Sequence, residues 1–559
     1  MNKDWVKTHL SGPACLVAVL AVFLITTRIG LDFGEHYDEW YFFDGLEDSI
    51  SNVDTQNGHY TYNGMYFNFG YMLLLPEVIE AVPEILSDFA SNPSRPVILD
   101  GLPSVTKLQK RLHQLVRSNE FLLSARFFYA LMSSLVVVWT YLTCRIVFPV
   151  EKWVAVLGAA FVGLSWEAAY HARFISVDGI LTQFTGLLFL FLALFLREPS
   201  KHRAVAWIFL ASFAAGMGLG SKVTGLYLLV PVIYAIALGG APELSLNWRE
   251  RGYVLFGAIA VTFVTFIVTT PGVVTDPLRF IGHLYYERLN YQALPPSHPY
   301  FVDGVGARLL VYLEWLLLAA PSSYLGPALI LSAVTLIGAY HLFREYLALF
   351  LAVVLFGLVY VWFLSLYPGV YIRNALPLIP ICGLLFAAGC RFLASLLEAR
   401  RLYLGVAALV VSASLLANAV WLFTAANTIA SGTREIFVDQ LQDYMADQTG
   451  KTFRLSPGIW SELTATSPAG LQCEPAGQHN SGGADAFLVL FVAERSWRNW
   501  KANRPGFTKR IFGSHEVNYD YAPSWRGHHA GNRIAVVTVA RAGALEVDLN
   551  TFATCRSGS

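Results

Sequence analysis

Apolar runs long enough to cross a bilayer recur between residues 13 and 425, and they leave the chain few folds to choose from. They occupy 13–31, 121–143, 151–166, 174–196, 204–221, 223–240, 253–271, 322–342, 346–366, 372–395 and 403–425. Hydrocarbon offers no partner for a backbone N–H or C=O, so a continuous apolar run of about 20 residues folds as a helix. Composition agrees: 55% of residues are hydrophobic and 14% charged, where soluble domains run at about 25% charged. Mean hydropathy is +0.49. The first run follows a short basic tail and has no small-residue cleavage site, so it reads as a retained signal-anchor helix. The expectation is a polytopic α-helical membrane protein with eleven transmembrane helices.

Two further apolar stretches read differently. Residues 64–86 carry Glu77, Glu80 and Glu84 on one helical face, and 308–320 contain Arg308 and Glu314. A lipid-facing span would not tolerate those charges, so both are expected as helices lying at the interface. Lys and Arg in alternate short loops (Lys3 and Lys7, Arg145 and Lys152, Arg197 to Arg203, Arg249 and Arg251, Arg344, Arg400 and Arg401) set the orientation. They place the N-terminus in the cytoplasm. Loops 32–120 and 272–321, and everything after 425, then lie outside.

The character changes beyond residue 425. Segment 430–450 is charged and suits a connecting helix; 485–493 and 532–540 are candidate strands, with a helical stretch at 494–503 between them. Residues 426–559 therefore read as a small extracytoplasmic α/β domain appended to a membrane domain of 1–425. Cys473 and Cys555 both fall in it and form a candidate disulfide outside the cytosol. The other four cysteines lie in or beside helices, where a small buried hydrophobe is the ordinary role.

Several ionisable residues fall on the outer side of this topology. Asp38 and Glu39 lie in the run His36-Tyr37-Asp38-Glu39-Trp40, just past the first span. Such a pair can remove a proton from a hydroxyl or amine, hold a divalent cation, or merely cap the next helix. Arg173, Lys222 and Arg373 violate the positive-inside bias, each at an outer helix end. One such base is readily explained by snorkelling. Three facing the compartment of Asp38 and Glu39 point to an anion site, and phosphate is the natural ligand for converging Arg and Lys. His171 and Asp178 flank Arg173, and Asp178 can orient either Arg173 or Lys222, or neutralise one of them. The stretch Gly216 to Lys222 fails the spacing of a phosphate loop and is better read as close helix packing. Zero net formal charge gives no support to a nucleic-acid partner.

In order along the chain, the Asp38-Glu39 pair, Ser124-Ala125-Arg126, the His171–Asp178 turn, Gly220-Ser-Lys222-Val-Thr-Gly225 and Tyr371-Ile-Arg373-Asn-Ala-Leu-Pro377 resemble the C-type glycosyltransferases. Within them the likeness is to the protein O-mannosyltransferase-like and aminoarabinose-transferase-like branch. It covers about residues 10–425 and rests on order and sidedness. The family's Lys-Gly-Pro turn reads Lys222-Val-Thr here, and the Trp-Trp-Asp element of oligosaccharyltransferases is missing.

The resemblance implies a C-type glycosyltransferase fold and transfer of a sugar from a dolichyl- or undecaprenyl-phosphate donor. The acceptor would be a glycan, lipid or protein at the outer face, with inversion at the anomeric carbon. It implies Asp38 as the base and Glu39 as its helper or a metal ligand. Arg173, Lys222 and Arg373 would clamp the donor phosphate, with His36, His171 and Asp178 in support. No nucleotide is required; a divalent metal is the one cofactor left open. The branch leans to a bacterial inner membrane. Two rivals belong to other classes. A transporter or flippase would show internal repeats and broken helices at mid-membrane, and no repeat is visible. A scaffold displaying the C-terminal domain would have no need of Asp38, Lys222 or Arg373.

Overall fold

The computed structural model describes residues 3–31, 37–52, 64–91, 102–238, 246–296 and 300–430, and six strands beyond residue 451. It divides into two units, Met1–Leu422 and Phe423–Ser559.

The first unit is helical. Its helices are α1 (Lys3–Arg28), α2 (Tyr37–Asn52), α3 (Met65–Ser91), α4 (Pro103–Val116), α5 (Asn119–Val147), α6 (Lys152–Gly163) and α7 (Trp166–His171). Then come α8 (Val177–Arg197), α9 (Lys201–Ser221), α10 (Leu229–Ala237), α11 (Trp248–Thr269), α12 (Gly272–Thr275) and α13 (Pro277–Gln292). The series closes with α14 (Val305–Glu314), α15 (Leu325–Glu345), α16 (Leu347–Ser365), α17 (Ile379–Leu397) and α18 (Arg401–Ala430). Local chemistry sets several starts. Ser118 caps α5 by accepting from the Phe121 N–H, and Asn247 and Glu250 form a reciprocal capping box on α11. Pro103 opens α4, where its missing N–H costs nothing.

Among the described residues eight helices are long and apolar enough to cross a membrane, and the chain is a multi-pass α-helical membrane protein. Every apolar run read from the sequence is helical, but three are shorter than a span: Gly12–Arg28, Lys152–Gly163 and Val223–Ala237. At 1.5 Å per residue α6 reaches only about 18 Å. It stops because the chain turns at Leu164 and Ser165 into the short α7. Residues 223–228 form a 3-10 turn ahead of α10, so that span is broken at its head.

Helix α3 forms where an interfacial helix was expected, and its acidic stripe is neutralised by α4. Arg111 pairs with Glu77 and Glu80, and Lys107 with Glu84 at 3.0 Å. The other stretch expected as an interfacial helix is also helical. After α14 the chain takes a π turn over Trp315–Ala319, and Arg308 is buried, donating to the Ser365 carbonyl at 2.9 Å.

The glycines of α9 are a packing device. A Cβ on Gly216 would lie 2.6 Å from the Thr262 carbonyl oxygen of α11, and one on Gly220 would collide with Thr269. Helices approach this closely only where a side chain is absent. Between α2, α3, α5 and α8 lies an aromatic core of Phe42, Tyr66, Phe67, Phe69 and Tyr129.

The second unit holds a six-stranded sheet of β1 (Thr452–Leu455), β2 (Leu471–Glu474), β3 (Ala486–Ala493), β4 (Thr508–Gly513), β5 (Asn532–Thr538) and β6 (Ala553–Ser557), in the order β2-β6-β1-β3-β5-β4. The expected strands at 485–493 and 532–540 are β3 and β5, which pair antiparallel; β1 and β3 are parallel. The expected helices at 430–450 and 494–503 lie outside the described residues. Cys473 and Cys555 are register partners on the antiparallel pair β2 and β6.

Candidate active site

Two buried charge clusters form where helices begin and end on one side of the bundle. The first is built on α8, on the residue after α9, and on the 3-10 turn Ile372–Leu378 that precedes α17. Ser176 caps α8 by accepting from the Asp178 N–H at 3.2 Å, which fixes Asp178 in the first turn. Lys222 leaves the helix in an extended conformation, its N–H still bonded to the Gly218 carbonyl. That break lets its ammonium reach inward. Nζ donates to Asp178 Oδ1 at 2.7 Å and to Asn374 Oδ1 at 2.7 Å. Arg373 Nε lies 3.8 Å from Asp178 Oδ2, and its guanidinium stacks over Tyr371 at 5.7 Å. Tyr360 holds the turn by donating to the Asn374 carbonyl at 2.9 Å. One carboxylate thus organises two cations.

His171 closes the same neighbourhood. Its side chain is buried, and burial pushes the imidazole down to about 3 despite the pull of Asp178. It is therefore neutral at ordinary pH. Among the described residues Nδ1 is enclosed without a hydrogen-bond partner, and Nε2 lies 3.8 Å from a Glu167 oxygen.

The second cluster belongs to Glu39. Its carboxylate takes a bidentate pair from Arg126, at 2.9 Å from Nε and 2.6 Å from Nη2, and also accepts the Ile175 N–H at 3.1 Å. Arg126 donates its remaining reach to the Leu31 carbonyl at 2.7 Å. Both residues are buried, so the fork-to-fork geometry is the one that can offset their desolvation. This pair ties α2 to α5, to the end of α1 and to the turn before α8.

That arrangement bears on Glu39 as a candidate metal ligand. With both oxygens of Glu39 occupied by a buried guanidinium, a metal would have to displace a cation already paired. Among the described residues, no group of three or more His, Cys, Asp or Glu could hold a metal ion. The described donors do not fit a metal centre.

Arg173 does not join Lys222 and Arg373. It is fully buried and donates to the Thr26 carbonyl at 2.5 Å and the Ile29 carbonyl at 3.0 Å, with Trp166 under its guanidinium at 5.7 Å. It satisfies the orphan carbonyls at the end of α1, a role that cations fill well. Asp178, left open between Arg173 and Lys222, pairs with Lys222 and Arg373.

Asp38 lies in the first turn of α2, and its side chain, like all of His36, is outside the described residues. Sequence reading passed over Arg126 as a site residue, and over Asn374. An arginine facing an otherwise apolar span was the available signal for the first.

Comparison with known proteins follows this geometry. Residues 97–270 match the family model of dolichyl-phosphate-mannose-protein mannosyltransferase, a stretch holding Arg126, Asp178 and Lys222. No curated protein matches the chain. Among solved structures, it is similar to ArnT from Cupriavidus metallidurans bound to undecaprenyl phosphate, at 13% identity and a TM-score of 0.44, over 94% of this chain and 98% of that one. It is also similar to the oligosaccharyltransferase AglB from Archaeoglobus fulgidus in complex with an inhibitory peptide and a dolichol-phosphate. There the identity is 13% and the TM-score 0.41, over 80% of this chain and 59% of that one. By the family match over 97–270, the chain is similar to the protein O-mannosyltransferase-like membrane glycosyltransferases, as its ordered motifs suggested.

Proposed function

We propose that the chain transfers a sugar from a polyprenyl-phosphate donor to an acceptor at the outer face of a bacterial inner membrane, with its C-terminal domain on that same side. The observation that carries the reading is the Lys222–Asp178–Arg373 cluster: two cations share one carboxylate at the head of two interrupted spans. The match of 97–270 to a family whose donor is a dolichyl-phosphate sugar supports the same chemistry.

In the reaction the acceptor oxygen attacks the anomeric carbon as the bond to the phosphate oxygen breaks. The acceptor proton passes to Asp38, and the phosphate leaves with the bonding pair. Attack opposite the leaving group inverts the anomeric centre. Lys222 and Arg373 stabilise the charge that grows on the phosphate, and Asp178 and Asn374 hold Lys222 in place. Glu39 and Arg126 position α2, on which Asp38 sits. Arg173 holds the end of α1 and takes no part in the clamp.

The test uses purified chain in nanodiscs with polyprenyl-phosphomannose and an extract of cell-envelope acceptors. Acceptor-dependent release of polyprenyl phosphate is expected. Asp38→Asn should abolish release while leaving donor binding nearly intact. Near-normal turnover in that variant would contradict the assignment of the base. Movement of the intact lipid-linked sugar across proteoliposomes without release would favour transport.

A further inference from the structure

Helix α13 turns one face toward the phosphate cluster, and that face carries a carboxylate that has no hydrogen-bond or ion-pair partner among the described residues. Phe280, Leu284, Glu287 and Tyr291 recur at the spacing of a single helical stripe. The two neighbours of Glu287 on the stripe are anchored on either side of the cluster. Leu284 packs against the cluster of Leu219, Phe266 and Phe280, and Leu219 lies three residues before Lys222. Tyr291 meets Tyr371 with ring centroids 5.2 Å apart, and Tyr371 carries the Arg373 guanidinium on its ring. Glu287 is thus held between the attachments to Lys222 on one side and to Arg373 on the other.

Its surroundings are suited to a polyhydroxylated ring. Tyr300 lies tilted against Tyr371 with ring centroids 4.7 Å apart, and Tyr367 meets Tyr291 at 6.0 Å. Two backbone bonds fix this wall, from Val302 N–H to the Pro368 carbonyl and from Val370 N–H to the Tyr300 carbonyl. Tyr291, Tyr300, Tyr367 and Tyr371 are each half-buried, so ring surface remains open. Glu287 is half-buried as well, and among the described residues it has no hydrogen-bond or ion-pair partner within reach. Burial raises its pKa above the usual carboxylate range, with Lys222 pulling the other way. A carboxylate so placed gains most from a ligand that brings hydroxyl donors.

We propose that Glu287 is the residue that reads the transferred sugar, accepting hydrogen bonds from ring hydroxyls while the tyrosines of α13 and of residues 300 and 371 pack against the sugar's apolar face. This rests on the reading of Lys222 and Arg373 as the phosphate clamp. In a glycosyl phosphate the sugar is joined directly to the phosphate, so a group beside the clamp meets the donor sugar before anything else. The acceptor, if it is a glycan, offers the same chemistry, and the test separates the two.

The experiment measures affinity of the full chain in nanodiscs for bare polyprenyl phosphate and for polyprenyl-phosphate mannose, glucose and galactose, in wild type, Glu287→Gln and Lys222→Ala. For at least one sugar the wild type should bind the glycosylated lipid more tightly than the bare one. Glu287→Gln should lose about tenfold or more on that lipid, the loss expected for a hydrogen bond to a charged group, with bare-lipid affinity unchanged. Unchanged bare-lipid affinity also shows that the variant folds. Lys222→Ala should weaken all four lipids alike. Equal loss on bare and glycosylated lipid in Glu287→Gln would overturn the proposal, because the residue would then act through the clamp. No change on any lipid, or no sugar preference in the wild type, would overturn it too. A loss confined to acceptor KM would move the carboxylate to the acceptor side and end the donor assignment. If the wild type binds none of the lipids, the functional reading itself fails, a result distinct from the others.

Discussion

Asp178 does at one residue what three scattered bases could not do from sequence: it decides which cations belong together. A carboxylate at a helix start can pair with any base within reach, and chain order does not say which. The structure gives it Lys222 and Arg373, and sends Arg173 to the carbonyls of α1. Lys222→Ala or Arg373→Ala should each cost about 2–4 kcal/mol of transition-state stabilisation, the range for losing one donor to developing negative charge. Arg28→Ala is the control, since Arg28 is an exposed base at the end of α1 outside the cluster. Equal loss in the control, measured as kcat/KM, would return all of these bases to snorkelling. The Glu39–Arg126 pair makes a different prediction. Arg126→Ala strands a buried carboxylate and should destabilise the chain by about 3–5 kcal/mol, read as a lower melting temperature in detergent. An unchanged melt would show that the pair is not holding α2. The sequence displayed Glu39 and Arg126 separately, but a pair separated by 87 positions is visible only once α2 and α5 are packed.

At the scale of elements, the long spans were legible because length and hydropathy suffice to define them. The breaks were not. Residues 151–166 and 223–240 have the composition of spans, yet one ends in the turn to α7 and the other opens with a 3-10 turn. The break between α9 and α10 is where Lys222 leaves its helix to reach Asp178, so a part of the fold not evident from hydropathy is a part that makes the site. The glycine stripe of α9 was readable as packing, and Gly220→Val should separate α9 from α11, lowering the melting temperature in detergent. Helix α7 carries a pH signature. His171 takes up a proton near pH 6.5 when unfolded but only near 3 when folded. Between those values the unfolded chain binds more protons, so stability rises with pH across the window and falls on acidification. Melting curves from pH 4 to 7 should flatten in His171→Gln, with a difference on the order of a few kcal/mol at the acid end. Parallel curves for the two proteins would show that His171 does not set the slope.

At the scale of the whole molecule, composition was enough to separate a helical membrane unit from a sheet-bearing one, while the sheet's strand order depends on long-range pairing that no local pattern encodes. That pairing sets Cys473 opposite Cys555. Antiparallel partners lie about 4.5–5.5 Å apart at Cα, inside the range a disulfide spans. Mass spectrometry of an unreduced digest should recover the Cys473 and Cys555 peptides joined, and free thiols at both positions would refute the bond. The central claim concerns the membrane unit. The most direct measurement is a lipidomic comparison of a strain lacking this chain with the same strain carrying wild type or Lys222→Ala. The deletion should accumulate one polyprenyl-phosphate sugar, wild type should clear it, and Lys222→Ala should leave it standing. An unchanged lipid-linked sugar pool in the deletion, or clearance by Lys222→Ala equal to wild type, would contradict the account.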